Sequence, residues 1–146
     1  MPTVWTIGYE KLRPETLAAE LEAAGVQRVI DVRFRPQSRR PGMSKTKLGL
    51  LLADHGIAYE HRRELGTPAD MRWLFHQGRT QEAAAAYREH VESSAPEALS
   101  RLAEEIEEPE PRTALLCLEE DPAGCHRRVI TDALGERIDD LDVVDL

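Results

Sequence analysis

Ala114-Leu115-Leu116-Cys117-Leu118, then Glu119-Glu120-Asp121-Pro122-Ala123-Gly124, then Cys125-His126-Arg127-Arg128-Val129-Ile130, is the stretch whose reading decides the fold. Five apolar residues in a row, without the polar alternation of a half-exposed strand, mark a strand buried on both faces. The polar turn from Glu119 to Gly124 ends it. Beyond the turn, Val129, Ile130, Ala133 and Leu134 recur at helical spacing.

The rest of the chain repeats this order. Val4-Trp5-Thr6-Ile7 reads as a short strand ended by Gly8. Pro14 suits a first helical position, and Leu17, Leu21 and Ala24 follow at helical spacing until Gly25. Val29-Ile30-Asp31-Val32 is a second strand. Residues 33–43 hold Pro36, Pro41 and Gly42 and read as a loop. Ser44 is placed to cap a helix carrying Leu48, Leu51 and Leu52, which Gly56 stops, and Ile57 to His61 is a third strand. Thr80 to Val91 is helical. Pro96 opens another helix with Leu99, Leu102, Ala103 and Ile106 on one face, ended by Pro109 and Pro111, and Val143-Val144 is a last short strand. The alternation predicts one α/β domain over residues 1–146. It is a mainly parallel open sheet with helices on both faces, a Rossmann-like three-layer sandwich.

A chain of 146 residues suits one domain, and 41% hydrophobic residues in periodic blocks exclude a disordered or fibrous class. No apolar run approaches the ~18 residues of a membrane span. Met1 to Thr6 lacks the basic and apolar regions of a signal peptide. A cytoplasmic location is expected, with the two cysteines as free thiols. Oligomeric state is not legible.

The formal charge of -8 argues against anionic partners until it is read by position. Residues 1–88 carry net +4 and residues 89–146 net -12. Between residues 28 and 47, seven basic side chains (Arg28, Arg33, Arg35, Arg39, Arg40, Lys45, Lys47) face only Asp31. Sixteen of the 19 basic residues are Arg, which binds phosphate or carboxylate through a planar fork. The acidic run Glu104 to Glu110 reads as a solvated helix end, Trp5 and Trp73 as packing residues, and His55, His76 and His90 as surface or packing residues.

Ligands of open α/β sheets bind beyond the carboxyl ends of the strands. That rule selects Gly8 and Tyr9 after the first strand, and Asp31, Arg33, Ser38 and Arg39 at and after the second. It selects His61 after the third, and Glu119, Cys125, His126 and Arg127 after the fourth. Asp121 and Pro122 are read as cap and start of the last helix. Gly124 and Cys125 would then lie in a first turn whose unpaired N–H groups attract anions and lower a thiol pKa. Asp31, Glu119, Cys125 and His126 are the candidate catalytic residues. Gly8, Tyr9, Arg33, Ser38, Arg39, His61 and Arg127 are the candidate substrate-binding residues.

No cofactor is expected. The sequence has neither a Gly-x-Gly-x-x-Gly fingerprint nor a phosphate-loop motif. Cys117, Cys125 and His126 follow a Cys-x7-Cys-His spacing that matches no standard zinc knuckle, so no metal is expected either.

Thr6-Ile7-Gly8-Tyr9, Asp31-Val32-Arg33 with Pro36 and Ser38, Gly56 to His61 with Leu65-Gly66, and Leu116-Cys117-Leu118-Glu119 with Cys125-His126-Arg127-Arg128 together resemble the DUF488 family. The ordered motifs run from Thr6 to about Leu134. Leu118 and Thr67 stand where a small residue and a second glycine are common in the family. The resemblance implies a compact α/β sandwich with one polar rim and no established reaction. Asp31-Val32-Arg33 also resembles rhodanese domains, but the rhodanese cysteine loop is absent.

The expected function is that of a small cytoplasmic enzyme binding a phosphate-bearing ligand, a nucleotide or nucleic-acid component, at the rim. The alternatives are a non-catalytic nucleic-acid-binding module using residues 28–47, and thiol redox or sulfur chemistry at Cys125.

Overall fold

The computed structural model describes residues 1–121 and 124–146. Its elements run β1 (Thr3–Gly8), α1 (Pro14–Ala23), β2 (Arg28–Asp31), α2 (Lys45–Asp54), β3 (Ala58–His61), a 3-10 turn (Arg63–Leu65), α3 (Ala69–His76), α4 (Thr80–Ser94), α5 (Pro96–Glu107), β4 (Thr113–Cys117), α6 (His126–Arg137) and β5 (Asp142–Asp145). The five strands form one sheet in the order β3-β2-β4-β1-β5, every pair parallel. The expected α/β sandwich is the observed fold.

β4 is central, and its five residues are all buried, as its apolar run demands. Its side chains alternate between two cores. Ala114 and Leu116 join Ile7, Val29, Leu17, Leu21, Leu48 and Leu52 under α1 and α2. Leu115 and Cys117 join Val4, Ile30, Tyr87, Leu99, Leu102 and Ile130 under α4, α5 and α6. Each fully buried aliphatic side chain contributes about 1.5–3 kcal/mol, so the two cores drive the three layers together.

The helices after β1 and β2 cover one face and the helix after β4 covers the other. A crevice opens at the carboxyl ends where the connections diverge. The register places Gly8 beside Cys117, and Asp31 beside Leu116 and His61, so these strand ends share one level. Among the described residues, no helix is long and apolar enough to cross a membrane.

Several local expectations change. Ser44 precedes α2, but its hydroxyl makes no cap. It accepts the Ser38 N–H at 2.9 Å and closes the 38–44 loop. The last helix starts at His126 with Cys125 as its N-cap residue, so Gly124 and Cys125 are not in its first turn and Asp121 is not its cap. Pro122, expected to start that helix, lies outside the described residues. The acidic run is not wholly solvated, because Glu105 binds Arg62 at 2.7 Å and Arg28 at 3.0 Å. Trp5 packs against the α1–α2 core, but Trp73, on the unanticipated α3, is 54% exposed.

Candidate functional site

β1 ends on Gly8 because the chain after β4 crosses directly over it. A Cβ on Gly8 would stand 1.7 Å from the Glu119 carbonyl oxygen and 2.7 Å from Arg127 Nη1. The Tyr9 and Glu10 N–H groups donate to the Cys117 and Leu118 carbonyls at 3.1 and 2.8 Å, which stitches the two rim segments together. Gly66 does the same for the segments after β2 and β3, since a Cβ there would lie 2.3 Å from Phe34 Cα.

Asp31, at the end of β2, is completely buried. Its Oδ1 accepts the Arg33 backbone N–H at 3.0 Å and Nε at 2.9 Å. Its Oδ2 accepts Arg33 Nη2 at 2.7 Å and the Tyr59 hydroxyl. Arg33 Nη1 reaches the Tyr9 hydroxyl at 3.2 Å and the Met43 carbonyl at 2.8 Å. Burial opposes the Arg33 charge, but the hydrogen bonds and charge of Asp31 outweigh it and raise the Arg33 pKa. Burial, helped by the Asp31 charge, also holds the Tyr59 phenol protonated well above its ordinary range.

Above this ion pair lies a cavity of about 530 Å³. Cys117, Glu119, Cys125 and His126 line it. Arg35, Arg39 and Arg72 line its sides with Phe34 and Phe75. None of these three arginines has a carboxylate partner among the described residues. Burial raises the Glu119 carboxyl pKa, partly offset by His76 and Arg127. His76 Nε2 lies 3.9 Å from Glu119 Oε1.

His126 is buried, and its Nε2 sits 2.7 Å from the Val32 carbonyl. A carbonyl only accepts, so Nε2 carries the proton and Nδ1 keeps a lone pair. That Nδ1 lies 3.6 Å from Cys125 Sγ. Desolvation, with the nearby Arg127 charge, pushes the His126 pKa down to about 4, so the ring is neutral. The two cysteines are not free thiols: their sulfurs meet and are paired as a disulfide, between Cα atoms 7.7 Å apart. Strand β4 and the α6 cap converge on the same point, a proximity invisible in a spacing of eight residues.

Arg127 is fully buried. Nη1 donates to the Glu119 carbonyl at 2.7 Å and lies 3.2 Å from Cys117 Sγ, and Nη2 donates to the Glu120 carbonyl at 3.0 Å. Nε has no partner, and no carboxylate pairs with the guanidinium among the described residues. Desolvation lowers its pKa.

Tyr9, Arg33, Arg39, Glu119, Cys125 and His126 line one cavity. Asp31, Gly8, His61 and Arg127 stand outside its lining. His61 Nε2 faces the Arg33 carbonyl at 2.7 Å. Ser38 lines a neighbouring cleft with Arg40, Lys45 and Lys47. The basic cluster divides. Arg28 binds Thr113 and Glu105, Arg33 binds Asp31, and Arg40 ties down the carbonyls of Tyr9, Glu10 and Leu12, with 2.7 Å to Glu10. Arg35, Arg39, Lys45 and Lys47 remain outside these internal contacts.

Arg72, Phe75 and His76 escaped the sequence reading. Their signal was the four-residue spacing of Arg72 and His76, which places both on one side of α3 just after the third strand. Thr67, also in the cavity wall, is buried.

No curated protein and no solved structure matches the chain. The model of a family described as a domain of unknown function, DUF488, matches residues 13–134, which take in the second to fourth strands and every residue of the cavity except Tyr9. With most of its length and nearly all of its rim inside that match, the chain belongs to the DUF488 family.

Proposed function

We propose that the rim cavity binds a small ligand carrying a phosphate group, of nucleotide or nucleic-acid-derived type, and that the protein is a cytoplasmic enzyme acting by hydrolysis or group transfer on it. The observation that carries this reading is the convergence of Arg35, Arg39 and Arg72 on one cavity without a carboxylate partner among the described residues. Arginines left without counter-charges around a concavity favour an anion, and Arg forks match phosphate oxygens in pairs. Phe34, Phe75 and Tyr9 supply apolar surface for a ring beside the anion. Glu119 and His126 line the same cavity as candidate proton-transfer groups, and Cys125, paired with Cys117, becomes a nucleophile only once reduced. Asp31 acts through Arg33, as a positioning residue.

Thermal denaturation and calorimetry with inorganic phosphate and nucleoside monophosphates test the proposal. A ligand at 100 times its Kd stabilises by about 2.7 kcal/mol. Near 150 residues that raises Tm by roughly 5–11 °C. An Arg35→Ser/Arg39→Ser/Arg72→Ser variant is expected to lose the shift while keeping its own Tm. No shift with any of these ligands, or an unchanged shift in the variant, refutes the reading.

A further inference from the structure

Cys117 Sγ, Cys125 Sγ and a Glu119 carboxylate oxygen all lie within 4.8 Å of one another. We propose that, with both cysteines reduced, these three residues form a site, with one coordination position left open, for a thiophilic divalent ion of the zinc class.

Four features of the geometry support it. First, zinc holds sulfur at about 2.3 Å and carboxylate oxygen at about 2.1 Å, so tetrahedral ligand atoms stand about 3.6–3.8 Å apart, and small side-chain shifts bring the two sulfurs and the Glu119 oxygen, all within 4.8 Å of one another, to that spacing. Second, His126 stands beside the trio, its Nδ1 3.6 Å from Cys125 Sγ, where it can accept the thiol proton that metal binding releases. Its other nitrogen donates to the Val32 carbonyl at 2.7 Å, which fixes the ring and turns the lone pair of Nδ1 toward Cys125. Third, the Cα atoms of Cys117 and Cys125 are 7.7 Å apart. Disulfides take roughly 4.4–6.8 Å, so once the pair is reduced the wide backbone spacing leaves room for an ion between the two sulfurs. Fourth, Arg127 is buried with no carboxylate partner among the described residues, and its Nη1 lies 3.2 Å from Cys117 Sγ. Two thiolates and a carboxylate around a divalent ion leave one negative charge, and this guanidinium balances it.

The Cys-x7-Cys-His spacing conceals the site, because its ligands come from the end of β4 and the cap of α6 rather than from one knuckle. All three ligands line the cavity, so the ion would face the anion of the proposed function. The assignment deepens that reading, but metal binding does not depend on it.

The test is a cobalt(II) titration of the full chain, reduced with a phosphine and kept under nitrogen, with thiols counted beforehand. One equivalent is expected to bind, giving thiolate-to-cobalt charge transfer in the near ultraviolet and tetrahedral visible bands, both lost on adding zinc. Glu119 is partly exposed, and Glu119→Gln is expected to shift the visible bands and weaken binding at least ~10-fold. Cys125→Ser is expected to abolish the charge-transfer band. The Arg35→Ser/Arg39→Ser/Arg72→Ser variant is expected to give the wild-type cobalt spectrum while losing phosphate binding, which separates the two proposals. Any of three results overturns the site: a featureless spectrum from reduced, folded wild type, a disulfide that persists under reduction, or an unchanged spectrum in Cys125→Ser.

Discussion

Replacing Asp31 by alanine removes the only carboxylate among the described residues that pairs with Arg33 and leaves this buried arginine without a counter-charge. The substitution also strands the Arg33 backbone N–H and the Tyr59 hydroxyl, both of which donate to Asp31. Breaking a buried pair by deleting one partner costs about 3–5 kcal/mol, because the surviving charge stays in a poor solvent. Against a total stability of roughly 5–15 kcal/mol, that is a large fraction. At about 2–4 °C per kcal/mol for a chain of this size, Tm is expected to fall by roughly 6–20 °C. Urea denaturation followed by circular dichroism measures the loss directly. The companion Asp31→Ala/Arg33→Met removes both charges and fills the site with apolar volume, and it is expected to recover most of the stability. The positioning role of Asp31 is refuted if the single variant loses less than about 1 kcal/mol. It is refuted equally if the double variant is no more stable than the single one.

Gly8→Ala is expected to destabilise by at least the ~1–3 kcal/mol of an overpacked site. Its Cβ would overlap a backbone carbonyl rather than a movable side chain, and a denaturation midpoint equal to wild type would contradict the close approach. Glu105 is held below its ordinary 4.5. Burial works against this, but the hydrogen bonds and charge of Arg62, with the charge of Arg28, outweigh it. A depressed carboxylate stabilises the fold above its unfolded value and loses that contribution as pH falls through its folded value. Wild type is therefore expected to exceed Glu105→Gln in stability near neutral pH and to lose the advantage on acidification below about 4.5. A stability difference independent of pH would contradict this.

The layers of the fold were legible because they rest on local patterning. The apolar run at Ala114–Leu118, the prolines opening α1 and α5 and the helical spacing of Leu99, Leu102 and Ile106 each act within one element. The helix start was misread because Asp121 and Pro122 look like a cap and a first turn in isolation. The path from β4 to α6 instead brings Cys125 to the cap position. The short α3 was missed because eight residues carry too little periodicity to register.

By itself, the sequence determined the α/β class, the parallel sheet, the rim that gathers the polar residues and the basic character of residues 28–47. All of these follow from hydrophobic period, turn chemistry and charge position along the chain. Only the tertiary structure decided which of those charges are used up inside the fold. Asp31 and Arg33 neutralise each other, Arg28 and Arg40 fasten neighbouring segments, and Arg127 disappears behind the wall, while Arg35, Arg39 and Arg72 stay at the cavity. The physical reason is that desolvation and pairing are properties of three-dimensional neighbours. Cys117 and Cys125 meet for the same reason, at a point set by where a strand ends and a helix begins.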